Sequence, residues 1–212
     1  MNLPFALLDE PAVLADYQGW RRDEYEDLMG LQRGTLSEAD FNAKYRSERA
    51  ILSMDMTGFT MSAMHRGELE SLLRILDAQK VGIPALVEAG AELVRCFADD
   101  IVAIFADPHA ALDAAFEVHR RIRVFNDSPL ASEHPTRFCA GLGFGRIFRI
   151  GPNLAQGDEM NRASKLGEDI ARGNETLLTE RAFAALCDRD DVHFEAEEHD
   201  DKLFPFYRAT PR

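Results

Sequence analysis

Residues 50–60 read Ala50-Ile51-Leu52-Ser53-Met54-Asp55-Met56-Thr57-Gly58-Phe59-Thr60, an apolar run that ends on an aspartate and a glycine-containing turn. A short apolar run bounded by turn residues reads as a buried strand. Asp55 at its end would project into a cleft at the sheet edge. The turn behind it, Gly58-Phe59-Thr60, can point backbone N–H groups at phosphate oxygens. On this segment alone, an aspartate capping a turn is the commoner explanation.

Downstream, Leu69, Leu72, Leu73 and Leu76 recur at helical spacing, which predicts a helix with these leucines on the core. Pro84 is expected to kink or restart it, and Gly90 to stop it. Residues 91–97 and 101–105 read as two strands around the turn Ala98-Asp99-Asp100. A second helix should start after Asp107-Pro108 and run to about residue 125, packing through Ala111, Ala114, Ala115, Val118 and Ile122. Strands are expected at 137–142 and 146–150 around Gly143-Phe144-Gly145, then a loop over 151–157 and a helix over 158–172 stopped by Gly173. A strand (176–179), a short helix (180–186) and a hairpin (192–195 with 202–208) complete the pattern. This order is α+β: a ferredoxin-like βαββαβ core with C-terminal additions.

Upstream, residues 1–47 read as a helical N-terminal extension, broken by Pro4, Pro11, Gly19, Gly30 and Gly34. Ser37 with Asp40 marks a capped helix start. Tyr17, Trp20, Tyr25, Phe41 and Tyr45 give the extension aromatic surface for packing, and a structural or dimer-stabilising arm is its simplest role. Residues 48–212 form the second unit.

Composition narrows the partners. A net charge of −13 over 212 residues disfavours nucleic acid and anionic membranes. No apolar stretch reaches the roughly 18 residues of a membrane span. The start, MNLPFALLDEP, does not read as a secretory signal. Cys96, Cys139 and Cys187 lack zinc-ligand spacing and read as buried free thiols in a reducing cytoplasm.

Three segments carry candidate chemistry. Asp99 lies in a hairpin turn, where Asp-Asp is usually turn chemistry. Together with Asp55 from an adjacent strand end, however, it can share hard cations such as Mg2+ or Mn2+. Asp100 is expected to point away along the strand pleat. Asn161 and Lys165, four apart on a helix, share a face where a hydrogen bonder beside a cation suits a phosphate; an ordinary polar face is the plain alternative.

In order, SMDMTGFT (53–60), RCFADDIVAIF (95–105), GLGFG (141–145), GDEMNRASKL (157–166), TLLTERAFAAL (176–186) and FPFYR (204–208) resemble the class III nucleotidyl cyclases over about residues 48–210. The resemblance implies a homodimer with active sites at the interface, acting on a nucleoside triphosphate with two Mg2+ or Mn2+ ions per site. Asp55, Asp99 and the Met56 carbonyl would hold metal. Gly58, Phe59 and Thr60 would cradle substrate phosphates, and Lys202 matches loosely a lysine for the terminal phosphates. From the other chain, Asn161 would position the ribose. Lys165 stands where an arginine is usual and keeps the charge but not the bidentate fork. Ala98 replaces a usual glycine.

The base-reading positions depart most. They fall on Arg95, a donor only, and Leu154, which neither donates nor accepts. A donor-only pocket suits the acceptor edges of uracil and cytosine. The resemblance is thus to the stand-alone pyrimidine cyclases of bacterial antiphage defence, which implies UTP or CTP as substrate and cUMP or cCMP as a second messenger. Two alternatives remain: an adenylate cyclase with relaxed base reading, and an inactive cyclase-like module for nucleotide sensing or dimerisation.

Overall fold

The structure is a computed structural model and describes residues 4–18, 20–59, 64, 67–131, 135–151, 154–197 and 204–212. Three short helices come first: α1 (Pro11–Gln18), α2 (Arg22–Arg33) and α3 (Glu38–Tyr45). Ser37 caps α3 by accepting from the Asp40 N–H, as its sequence suggests. Phe41 and Tyr45 of α3 pack with Ile150, Phe148 and Trp20. The buried Glu24 carboxylate accepts from the Gly151 N–H at 2.6 Å, which ties α2 to the sheet.

The sheet is built on β1 (Arg46–Met56), which begins inside the stretch expected as extension. Its neighbours are β2 (Leu93–Phe97), β3 (Asp100–Phe105), β4 (Phe138–Ile150), β6 (Thr176–Thr179), β7 (Val192–Glu197) and β8 (Phe206–Pro211). The order across the sheet is β2-β3-β1-β4-β6-β8-β7, with β5 (Leu154–Gln156) on the far end of β4. Only the β4–β6 pair is parallel; the others are antiparallel. The α+β fold class read from the sequence is the one observed.

Helices α4 (Glu68–Glu88), α5 (Pro108–Asn126) and α7 (Glu180–Leu186) cover one face. There Met54, Met56, Phe105, Phe138 and Leu142 meet Ala78, Leu86, Ala114, Val118 and Leu186 in the main core. The other face carries α6 (Asp158–Ser164), which continues as a π-helical segment, Lys165–Ile170.

Several expectations are corrected. Leu69, Leu72, Leu73 and Leu76 lie on α4 but are 72%, 62%, 53% and 50% exposed. The buried stripe is Ser71, Arg74, Ala78, Gly82 and Ala85. Helical periodicity locates a stripe but does not say which of two stripes meets the sheet. The small residues win because Gly82 lets the helix approach Ile101, whose Cδ1 lies 3.1 Å from where a Cβ would stand. Helix α4 also runs through Pro84 without a break. That proline removes one hydrogen bond near the C-terminal end, where Ala85 and Leu86 are held by burial.

The Gly143-Phe144-Gly145 hairpin is absent. Residues 138–150 form one strand paired with β1 along its whole length. The glycines serve close packing instead. A Cβ on Gly141 would stand 2.0 Å from the Ala163 carbonyl oxygen, and one on Gly143 would stand 2.6 Å from that of Glu159. The 158–172 helix is shorter and changes to π geometry at Lys165. The terminal hairpin pairs 192–197 with 206–211. Of the thiols, Cys139 is buried, Cys96 is partly buried and Cys187 is exposed.

Candidate metal and phosphate site

Strand register sets the site. Met54 pairs with Ile101, so Asp55 and Asp100 meet one step further along. Asp55 also pairs with Cys139 on β4. Paired residues share a face, and alternation places Asp55 with Ser53 on the side opposite Met54 and Met56. That side is confirmed by contacts: the Ser53 hydroxyl lies 3.4 Å from that of Ser164 and 3.5 Å from Glu168 Oε1. Asp99 is carried in by the β2–β3 turn, where Ala98 takes a left-handed conformation at φ 51°.

Carboxylate oxygens of Asp55, Asp99 and Asp100 all lie within 4.8 Å of one another. They face a cleft of ≈ 320 Å3 also lined by Met56, Gly58, Phe59 and Glu168. No basic side chain lines it among the described residues. Asp55 is pushed up to about 7, first by burial and then by the charges of Asp99 and Asp100. Asp100 is pushed up to about 6 by burial, Glu168 and Asp99. Crowded carboxylates without a counter-charge hold protons that a cation can displace. An all-oxygen donor set of this kind fits Mg2+ or Mn2+ rather than a soft metal.

Asp55, Met56, Gly58, Phe59 and Asp99 are thus brought together. Gly58 has φ 68°, and Phe59 packs on the core while lining the cleft. Thr60 and Lys202 lie outside the described residues, and so does the side chain of Leu154 at the start of β5. Arg95 pairs with Val102, which pairs with Ser53, so Arg95 is on the Asp55 face of the sheet. Its guanidinium donates to the Val94 carbonyl. Asn161 and Lys165 do not line the acidic cleft of their own chain. Both are exposed, and Lys165 Nζ donates to Asp169 at 2.6 Å.

The sequence reading of Asp100 is corrected: its carboxylate joins the cluster instead of pointing away. Extending the 54↔101 register by one step would have found it. Glu168 was missed because the π turn at 165–170 moves it off the periodicity of an ordinary helix. Phe97 was missed too. It pairs with Asp100 on the cluster's face and is 83% exposed.

The chain matches no family model, and no curated protein matches it. Solved structures do match. The adenylyl cyclase CyaB from P. aeruginosa shares 14% identity over 79% of this chain and 95% of that one, at a TM-score of 0.68. An adenylate/guanylate cyclase/hydrolase from Silicibacter pomeroyi shares 23% over 79% and 98%, at 0.65. The guanylate cyclase domain of RhGC from Catenaria anguillulae, in complex with GTP, shares 13% over 78% and 97%, at 0.66. This chain has the fold of adenylyl and guanylyl cyclase catalytic domains.

Proposed function

We propose that the protein is a nucleotidyl cyclase that converts a nucleoside triphosphate to a 3′,5′-cyclic nucleotide and pyrophosphate. The observation that carries this reading is the three-carboxylate cluster at the β1–β3 strand ends, on a fold shared with cyclase domains. Asp55 and Asp99, with the Met56 carbonyl, hold the cations, and Asp100 adds a further acidic oxygen. Bound there, two Mg2+ or Mn2+ ions supply charge neutralisation of the triphosphate and acidify the ribose 3′-hydroxyl. The turn at Gly58 and Phe59 presents N–H groups to phosphate oxygens, and Thr60 is assigned to the same phosphates. Lys202 is assigned to the terminal phosphates.

The acidic cleft is half of an active site. Asn161 and Lys165 are exposed and do not line it, and in this reading they serve the site of a second copy in a homodimer, Asn161 on the ribose and Lys165 on the phosphates. The exposed leucines of α4 and the exposed Phe97 support burial against such a copy, and one fold neighbour is a dimeric guanylyl cyclase domain. The helices of residues 1–47 brace the end of β4 next to β5.

The substrate is a pyrimidine nucleotide, UTP or CTP, giving cUMP or cCMP in the cytoplasm as an antiphage second messenger. Arg95 lies on the face of the sheet that holds Asp55, and Leu154 opens β5; neither side chain accepts a hydrogen bond. A buried purine N–H left unpaired costs about 1–3 kcal/mol. Mn2+-dependent pyrophosphate release from ATP, GTP, CTP and UTP at equal concentration tests this. Faster turnover of a purine contradicts the base assignment. Binding without turnover favours a nucleotide-sensing module.

A further inference from the structure

A second cavity lies on the opposite face of the sheet. The row Met54, Ala140, Thr176 and Ala209 runs across β1, β4, β6 and β8 with side chains on the α5 side. His119 of α5 stands over it, 3% exposed, with Nε2 3.1 Å from the Thr176 hydroxyl. Around it is a cavity of ≈ 240 Å3 whose lining includes Arg123, Asn174, Glu175 and Arg208.

The polar groups there are incompletely used. Among the described residues, His119 Nδ1 and Asn174 Oδ1 are buried without a hydrogen-bond partner. Two such atoms from residues lining one cavity are unusual, because buried polar atoms are nearly always paired. Arg123 at the exposed rim forms no ion pair among the described residues. Arg208 pairs with Leu177, so its side chain stands on the other face of the sheet, where its terminal nitrogens are held by Glu175 at 3.3 Å and Glu197 at 2.8 Å. Asn174 adopts φ 67°, a left-handed conformation that aims its side chain from a tight turn.

We propose that this cavity binds a small hydroxycarboxylate, at a site separate from the acidic cleft. The guanidinium of Arg123 matches the carboxylate. Asn174 Oδ1 requires a donor, which the ligand's hydroxyl supplies. Burial and the Arg123 charge push His119 down to about 4, so its ring enters the site neutral, as a hydrogen-bonding group and not as a second cation.

The test is a titration of the intact protein with glycolate, acetate and inorganic phosphate, following the His119 ring resonances by NMR. Glycolate is expected to shift them saturably, with acetate at least about threefold weaker for want of the hydroxyl and phosphate weaker still. Arg123→Ala, at the exposed rim, should weaken glycolate about tenfold while leaving cyclase turnover unchanged. Asn174→Gly keeps the left-handed backbone and should erase the preference for glycolate over acetate. The proposal is overturned if no probe shifts His119, if glycolate binds equally in the Arg123→Ala protein, or if acetate matches glycolate in the unaltered chain.

Discussion

Asp55 and Asp100 face each other across the β1–β3 pair, one step past Met54 and Ile101, and with Asp99 they form one group of carboxylates. The proposed function therefore extends the metal-binding group to Asp100. Asp55→Ala and Asp99→Ala are expected to abolish turnover while the fold persists. Asp100→Asn should keep turnover at saturating metal but raise the Mn2+ concentration for half-maximal rate by about 10- to 100-fold. An unchanged Mn2+ requirement in Asp100→Asn would remove it from the site.

The same cluster is expected to couple metal binding to stability. Asp55 is raised from its ordinary value of 3.8 to about 7 in the fold. Between those values the folded chain holds more protons than the unfolded chain, so stability falls as pH rises from about 4 to 7. Mn2+ replaces those protons, so it should raise Tm more at pH 7.5 than at pH 5.5. Asp55→Asn should raise the metal-free Tm at pH 7.5 by about 2–4 °C, the shift of roughly 1 kcal/mol in a chain of this size, and should blunt the Mn2+ effect. Equal Mn2+ shifts at both pH values would contradict the coupling.

Asn161 and Lys165 do not line their own chain's acidic cleft. Mixing inactive Asp55→Ala and Asn161→Ala chains should then restore turnover, because the heterodimer contains one complete site. No recovery, with subunit exchange confirmed by mass spectrometry, would count against a shared site.

Lys165 is engaged with Asp169 at 2.6 Å, and both side chains are about half exposed. An exposed pair is worth at most about 1 kcal/mol. Asp169→Asn should therefore lower KM for the triphosphate by no more than about fivefold. Lys165→Arg, which adds a bidentate fork, should raise kcat. A fall in kcat for Lys165→Arg would show that the site is built around the smaller ammonium.

Much of this was legible in the sequence, and the failures have physical causes. Asp55 was readable only together with Asp99 from the neighbouring strand end, because an aspartate ending a strand is by itself commonly a turn cap. The α5 stripe Ala111, Ala114, Ala115, Val118 and Ile122 was readable because it is the helix's one apolar face, and all five residues are buried. Helix α4 misled because its leucines form the more apolar stripe and yet face outward, while Ala78 and Gly82 meet the sheet. Gly143 and Gly145 read as turn residues, whereas Gly143, like Gly141, lets α6 and the π segment approach the backbone of β4. That contact joins residues about twenty apart and leaves no local pattern. Glu168 was hidden by the π turn, which hydrophobic periodicity does not register.

The most direct measurement is product identification. Purified protein is incubated with Mn2+ and each of ATP, GTP, CTP and UTP, and products are resolved by mass spectrometry alongside Asp55→Ala. The expected result is a 3′,5′-cyclic nucleotide with equimolar pyrophosphate, formed with the highest kcat/KM from UTP, CTP close behind, and none from Asp55→Ala. Absence of cyclic product from all four triphosphates, or equal product from Asp55→Ala, would contradict the assignment of this cluster to nucleotide cyclisation.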